Sequence, residues 1–204
     1  MLDFNYWKAG LIDLLNTATN PILVTHSFSG MFILNNPEFE HYLSGLVLMN
    51  TTTANSFFHH VSEMQQKHHL PDLVPAASEY HLNPSNATYK KFWATYKYYC
   101  FTAQELSRGE AMIPLLAFNN ESYYYAIQNF YEHYQCKWAP SLIPAMTLSS
   151  EYDYICPPRI FIQDKRFQKK NIINKMIAQA GHCPWLEQLN DVQNCFDEFI
   201  ELLA

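Results

Sequence analysis

One short stretch near the start of the chain, Pro21–Leu34, most constrains how it can fold. It contains an apolar run over Ile22–Thr25, a sharp turn over His26–Ser29, and a helical pattern that is predicted to begin at Gly30. A second run, Leu43–Asn50, follows, and its hydrophobic residues are continuous rather than alternating. Continuous runs are typical of strands buried on both faces of a parallel sheet, and parallel strands are joined by right-handed crossovers. The pattern therefore predicts an α/β fold.

The middle of the chain, residues 53–138, differs in composition from the two ends. Tyr, His, Asn and Gln are mixed with other aromatic residues there, and the long apolar runs disappear. Helical spacing predicts four helices, at Ser56–His68, Asn86–Tyr99, Ala103–Ala111 and Ser122–Tyr134. We expect this segment to form a helical cap over the sheet edge, inserted between core segments at residues 1–52 and 139–204.

The sheet is predicted to resume after the insertion. Strands are expected at Ile143–Ser149 and Asn171–Ala178, with a helix over Arg159–Lys169 between them. Amphipathic helices are expected at residues 3–17 and at Asp191–Leu203. Together these elements predict a partial sheet of about four parallel strands with flanking helices.

Composition excludes several classes of function. The 204 residues carry a net charge of −6 and no basic stripe, which argues against nucleic-acid binding. No apolar run approaches the roughly 20 residues that a membrane-spanning helix needs. The chain begins without the basic and apolar regions of a secretory signal. Its five cysteines are widely spaced and lack a CxxC pair, which favours reduced thiols and a cytoplasmic location.

Three residues suited to acyl transfer follow predicted strands. Ser27 follows the first strand, Asp153 the third and His182 the fourth. Small residues at Thr25 and Ser29 would allow the tight turn of a nucleophile elbow around the serine. A serine hydroxyl attacks only when a base, itself oriented by a third group, takes its proton. Because the carboxyl ends of parallel strands share one edge, we predict a nucleophile, acid and base that meet there.

Other polar residues offer alternatives to this assignment. Glu151 is a close competitor of Asp153, whereas Asn50, which follows the second strand, cannot act as an acid. His26 is interpreted as structural, with its side chain pointing away from the base. Histidines on either side of Glu63 raise the question of a metal site: His59, His60, His68 and His69. They lack an H-E-x-x-H pattern or a cysteine partner, so we predict neither a metal nor a cofactor.

Three segments resemble motifs of the α/β-hydrolase fold superfamily. Thr-His-Ser27-Phe-Ser-Gly resembles its Gly-His-Ser-x-Gly-Gly elbow, and Ser-Glu-Tyr-Asp153-Tyr-Ile-Cys-Pro-Pro is similar to its Gly-x-x-Asp-x-x-x-Pro acid loop. Gly-His182-Cys-Pro-Trp-Leu-Glu-Gln resembles its Gly-His-x-x-x-x-Glu segment. The most similar branch contains proline iminopeptidases, esterases and carbon–carbon hydrolases, whose members carry a helical cap.

The resemblance implies a serine hydrolase that acts on a small ester, amide or short peptide through an acyl-enzyme. The backbone N–H of Phe28 would be one oxyanion donor. Aromatic residues, among them Tyr98, Tyr124 and Trp185, either line the substrate pocket or simply pack together.

The resemblance also implies missing parts. The family sheet has strands before the elbow strand, and one of their loops supplies the second oxyanion donor; neither has a counterpart here. The first strand would then be an open edge, which predicts a homodimer or a partner chain that covers it. The alternative hypothesis is an impaired hydrolase-like protein that acts as a binding subunit.

Overall fold

A computed structural model describes residues 3–54 and 57–203, and its centre is a four-stranded sheet. The strands lie in the order β1 (Ile22–His26), β2 (Gly45–Met49), β3 (Ala145–Ser150) and β4 (Ile172–Ile177). Every neighbouring pair is parallel. The predicted α/β class and the four parallel strands are therefore confirmed, and the carboxyl ends of all four strands lie at one edge of the sheet.

Burial explains why the two central strands carry continuous apolar runs. Every residue of β2 and β3 is buried, because both faces of the sheet are covered. Alternate residues of a strand point to opposite faces. Leu46 and Leu48 accordingly join the hydrophobic cluster on one face, and Val47 and Met49 join the cluster on the other.

Helices from both ends of the chain cover the sheet. The first two are α1 (Phe4–Thr17) and α2 (Phe28–Leu34), which pack in the cluster containing Leu46. Near the other end, α9 (Pro184–Glu187) is followed by α10 (Leu189–Glu201), which covers the opposite face with Val192, Cys195 and Phe199. The three- and four-residue spacing of these side chains puts them on one stripe of the helix.

The described part of the segment between β2 and β3 contains helices joined by irregular stretches, and no strand. Its α-helices are α3 (Phe57–His68), α4 (Val74–Leu82), α5 (Asn86–Cys100), α6 (Leu106–Met112) and α7 (Asn120–Ala126). The predicted start of the first helix, Ser56, lies outside the described residues. The division into a core of residues 1–52 and 139–204 and a cap of residues 53–138 stays a prediction.

The structure corrects several helix boundaries. The helix α4 was not predicted; Pro75 lies at its start, and proline is well tolerated in the first turn of a helix. The helix predicted to begin at Gly30 begins at Phe28, directly after the turn. The helix predicted over Ser122–Tyr134 begins earlier and becomes a π-helical turn over Ile127–Tyr131.

The predicted helix over Arg159–Lys169 is interrupted. The helix observed there, α8 (Arg159–Gln163), ends at Asp164, and a 3₁₀ turn follows over Lys165–Phe167. The Asp164 carboxylate accepts hydrogen bonds from the backbone and side chain of Arg166. Aspartate bonded to nearby backbone in this way favours turns over a continuing helix.

The first strand forms an edge of the described sheet. Its side chains Ile22 and Val24 are 45% and 49% exposed, and they lie on the strand whose outer side has no neighbour within the described chain. Pairing of this edge with another chain stays a prediction. No helix in the described ranges has the length and apolar character needed to cross a membrane.

Candidate active site

Ser27 lies at the junction of β1 and α2 in a strained backbone conformation. Its φ of 54° and ψ of −122° place it in a region that few non-glycine residues occupy. Ser27 N donates to Met49 O, and Thr51 Oγ1 donates to Ser27 O. A side chain at Gly30 would bring a Cβ within 2.6 Å of Thr51 Cγ2, so only glycine fits there. The neighbouring strand thus holds the turn in place and exposes the serine at its apex.

The structure brings Ser27, His182 and Asp153 together in one hydrogen-bonded series. His182 Nε2 lies 2.9 Å from Ser27 Oγ, and His182 Nδ1 lies 3.0 Å from both carboxylate oxygens of Asp153. Because an ionised carboxylate only accepts hydrogen bonds, Nδ1 carries the proton and Nε2 is free to accept from the serine hydroxyl. Ser27 is half-buried, whereas Asp153 and His182 are buried.

The Asp153 carboxylate is fixed by its own loop. Its Oδ1 accepts hydrogen bonds of 2.9 Å from the backbone N–H groups of Ile155 and Cys156. Glu151, the competitor from sequence, is exposed, and its carboxylate accepts from Gln179 N. The geometry therefore brings Asp153, rather than Glu151, to the histidine.

The backbone of His182 is held from two sides. His182 N donates to Cys100 O at 2.7 Å, which ties the histidine loop to the end of α5. On the other side Asn50 Nδ2 donates to Gly181 O and His182 O, both at 3.0 Å. Sequence reasoning considered Asn50 only as a failed acid and missed this contact. The sequence signal that could have indicated this role is the position of Asn50, a polar residue directly after a wholly apolar strand.

Glu187 connects the histidine loop to the insertion. Its carboxylate accepts hydrogen bonds from the backbone N–H groups of Gly181 and Thr102. Burial raises the pKa of this carboxyl above its usual value. Sequence reasoning recorded Glu187 as part of a motif and did not assign it these partners.

Solved hydrolase structures share this architecture at low sequence identity. A thermophilic esterase from Thermogutta terrifontis matches with a TM-score of 0.69 and 16% identity, over 96% of this chain and 70% of that one. An alpha/beta fold family hydrolase from Bacillus anthracis matches with a TM-score of 0.68 and 12% identity, over 100% and 77%. The chain has the α/β-hydrolase fold.

A third structure with the α/β-hydrolase architecture is a proline iminopeptidase-related protein from Thermus thermophilus. It matches with a TM-score of 0.66 and 16% identity, over 96% of this chain and 69% of that one. No protein-family model matches the chain, and no curated protein is similar to it in sequence. At these identities the likeness establishes the fold, and any chemistry has to be argued from the chain's own residues.

His26, the residue before Ser27, contacts His182, whereas the sequence predicted that its side chain would point away. Its ring lies 4.5 Å from the ring of His182, and its Nε2 lies 2.7 Å from His182 O. The ring of Trp185 meets it edge-on at 4.7 Å. Burial and the neighbouring His182 lower the pKa of His26 to about 3, so it is neutral at pH 7. A neutral His26 can donate from Nε2 to the His182 carbonyl.

We expect the neutral state of His26 to make the fold sensitive to acid. Its pKa of about 3 lies below the unfolded value of 6.5, so the unfolded chain binds more protons between these limits. The contribution of His26 to stability is complete above pH 6.5 and is lost as the pH falls towards 3, by at most about 1.4 kcal/mol per pH unit. Urea unfolding at pH 7 and pH 5 measures the loss. His26→Gln should reduce it, and an undiminished loss in that variant would contradict the assignment.

The three aromatic residues predicted to line a substrate pocket lie in three different places. Trp185 packs on His26, and Tyr124 in α7 donates its hydroxyl to His81 O. Tyr98 lines a pocket of about 330 Å³ with Tyr152 and other residues. A larger cavity of about 430 Å³ lies within the insertion, and none of the three lines it. Their role in binding stays a prediction.

Donor atoms that could hold a metal come together at the same site. Within the described residues, one donor atom each of Asp153, Cys156 and His182 lies within 4.8 Å of the others. Asp153 and His182 are already bonded to each other, and burial raises the pKa of the Cys156 thiol well above its usual range. A protonated thiol is a poor metal ligand. Glu63, the residue flanked by histidines, pairs with Arg159.

Proposed function

We propose that the chain is a serine hydrolase that cleaves a small ester, amide or short peptide through an acyl-enzyme. The observation that carries the proposal is the hydrogen-bonded series from Ser27 Oγ through the His182 ring to the buried Asp153 carboxylate. The strained turn that exposes Ser27 also supports it, because strain of this kind clusters at active sites.

The reaction would proceed in two halves. His182 Nε2 takes the hydroxyl proton while Ser27 Oγ forms a bond to the substrate carbonyl carbon. The tetrahedral intermediate collapses, and the leaving alcohol or amine departs with the proton from His182. Water then attacks the acyl-enzyme, gives its proton to His182, and releases the acid as the proton returns to Ser27. Asp153 holds the imidazole tautomer that both halves need.

Phe28 would supply one oxyanion donor. It is the first residue of α2, and the first N–H groups of a helix have no intrahelical acceptor. Its amide directly follows the nucleophile, where a donor to the developing oxyanion is needed. Loss of one oxyanion donor typically costs on the order of 10²- to 10³-fold in rate.

A second candidate function is a binding subunit with impaired catalysis. The exposed apolar side chains Ile22 and Val24 on the edge strand favour it. The two candidates make opposite predictions about the reactivity of Ser27, because a binding subunit has no need of an activated hydroxyl.

We expect a fluorophosphonate probe to label Ser27 covalently, because His182 activates its hydroxyl. Ser27→Ala should abolish the labelling, and Ser78→Ala, which removes an exposed hydroxyl from α4, should leave it intact. Mass spectrometry of the labelled protein locates the adduct, and circular dichroism checks that each variant is folded. A folded chain that stays unlabelled would contradict catalysis and favour the binding subunit.

A further inference from the structure

The loop that carries His182 has to cross the edge of the sheet to reach Ser27. It follows β4, whereas Ser27 follows β1, and β2 and β3 lie between these two strands. Neighbouring strands are about 4.8 Å apart, so this path is on the order of 14 Å long. A loop that reaches so far must be held along its length if His182 Nε2 is to stay 2.9 Å from Ser27 Oγ.

Polar side chains from the ends of β1, β2 and β3 lie along this path. Asn50, directly after β2, donates from Nδ2 to Ser150 Oγ at the end of β3. The same nitrogen donates to Gly181 O and His182 O in the histidine loop. His26, the last residue of β1, has its Nε2 2.7 Å from His182 O. The His182 carbonyl is therefore held by one side chain from β1 and one that follows β2.

His26 differs from Asn50 because it is adjacent in sequence to the nucleophile. The His26 ring contacts the backbone carbonyl of His182, and the hydroxyl of Ser27 contacts the His182 ring. Two consecutive residues of one turn thus bind the main chain and the side chain of the same histidine. Any movement of His182 away from the turn would lengthen at least one of these contacts.

The main chain of His26 is itself fixed by the hydroxyl of Ser29. Ser29 Oγ accepts from His26 N at 2.9 Å and donates to His26 O at 2.8 Å. Because Ser27 N donates towards β2, these groups of His26 point to the other side of β1, which has no neighbouring strand in the described chain. Ser29 stands where the Gly-His-Ser-x-Gly-Gly motif has glycine, which has no hydroxyl, so the motif does not supply this contact.

We infer that His26, fixed by Ser29, is a positioning residue that sets the distance between Ser27 Oγ and His182 Nε2. This inference rests on the proposed function, because that distance matters only if His182 activates the serine. The competing interpretation is that His26 only fills space, since its ring also packs on His182 and Trp185. The first interpretation requires the Nε2 donor, and the second requires the aromatic ring.

Two variants of His26 separate hydrogen bonding from packing. His26→Phe keeps an aromatic ring and removes the donor. His26→Gln removes the ring and keeps an amide nitrogen the same number of bonds from the backbone. We expect the fluorophosphonate probe to label Ser27 about fivefold more slowly at pH 7 in His26→Phe, which is the typical effect of one lost hydrogen bond. His26→Gln should retain most of the original rate.

The reverse order of rates would overturn the inference. A role in packing alone predicts that His26→Phe is labelled at the original rate and that His26→Gln is labelled slowly. Equal rates in the two variants would also overturn the inference. His41→Phe is the control, because it makes the same substitution at an exposed histidine in the 3₁₀ turn between α2 and β2. It should leave the rate unchanged.

Ser29→Ala tests the inference at a residue that does not touch His182 and is exposed. The variant removes both hydrogen bonds to the main chain of His26. Water can replace part of these bonds at an exposed position, so we expect labelling to slow by about threefold. Ser78→Ala, at an exposed serine of α4, should label at the original rate. An unchanged rate in folded Ser29→Ala would overturn the role of Ser29.

Failure of this inference can be distinguished from failure of the proposed function. If the original chain is labelled and none of the His26 and Ser29 variants changes the rate, the hydrolase stands and the positioning role is overturned. If the folded original chain stays unlabelled, the hydrolase is contradicted, and the positioning role with it. Circular dichroism establishes that each variant is folded.

Discussion

Asp153→Asn is expected to lower kcat by about 10⁴-fold, the loss typical of replacing the acid of a Ser-His-Asp triad by its amide. The Asp153 carboxylate accepts from His182 Nδ1, and an asparagine amide can instead donate to that nitrogen. His182 would then carry its proton on Nε2, facing Ser27, and could not take the serine proton. Hydrolysis of 4-nitrophenyl phenylacetate, a neutral aryl-alkyl ester, measures the loss.

Glu151→Gln is the matched control for this variant. Glu151 lies two residues away, is exposed, and bonds Gln179 N rather than the histidine. Its replacement should change kcat less than about threefold, because surface substitutions usually change free energies by no more than about 0.5 kcal/mol. Equal losses in the two variants, or full activity of Asp153→Asn, would refute the role of Asp153.

Gly181→Ala is expected to destabilise the fold by about 2–3 kcal/mol, at the upper end of the usual cost of overpacking. An added Cβ would lie 2.3 Å from Cys100 O and 2.9 Å from Cys100 C. These are backbone atoms, and Cys100 O accepts the hydrogen bond of His182 N. The clash can be relieved by moving the histidine loop or the end of α5, and either movement disturbs the hydrogen bond that holds His182, so labelling of Ser27 should slow as well. Urea unfolding measures the change in stability.

Gly10→Ala serves as the control, and we expect it to increase the stability of the fold rather than lower it. Gly10 lies within α1, and an added Cβ there would meet nothing within 4 Å. Alanine is favoured over glycine inside a helix by about 0.5–1 kcal/mol, so this variant should be more stable than the original chain. If the Gly181→Ala protein were as stable as the Gly10→Ala protein, the histidine loop would not be in close contact with Cys100 at the end of α5.

Much of the sheet could be predicted from sequence because its central strands are buried on both faces. Their apolar runs have the length of strands rather than of typical helices, and the observed β2 and β3 lie within two residues of the predicted bounds. The insertion was harder to predict. A proline at the start of α4 and a π-helical turn after α7 depend on local geometry that periodicity does not report.

The same contrast applies to the site. The proximity of Ser27, Asp153 and His182 could be predicted because each follows a strand, and parallel strands bring their carboxyl ends to one edge. The supporting contacts were not predictable from spacing. Asn50 is hydrogen-bonded to His182, 132 residues away, and Glu187 to Thr102, 85 residues away. Only the folded chain brings these partners together. The orientation of His26 also depends on packing against Trp185.

The hydrogen bonds between the end of α5 and the histidine loop bear on how this scaffold could be re-engineered. Exchanging all the residues between β2 and β3 for the matching segment of another protein with this fold would remove Cys100 and Thr102. The replacement segment would need its own hydrogen-bond acceptor for His182 N and its own donor for the Glu187 carboxylate. A graft that ends before Cys100, or begins again after Thr102, keeps both bonds. New helices could then be transplanted without displacing His182.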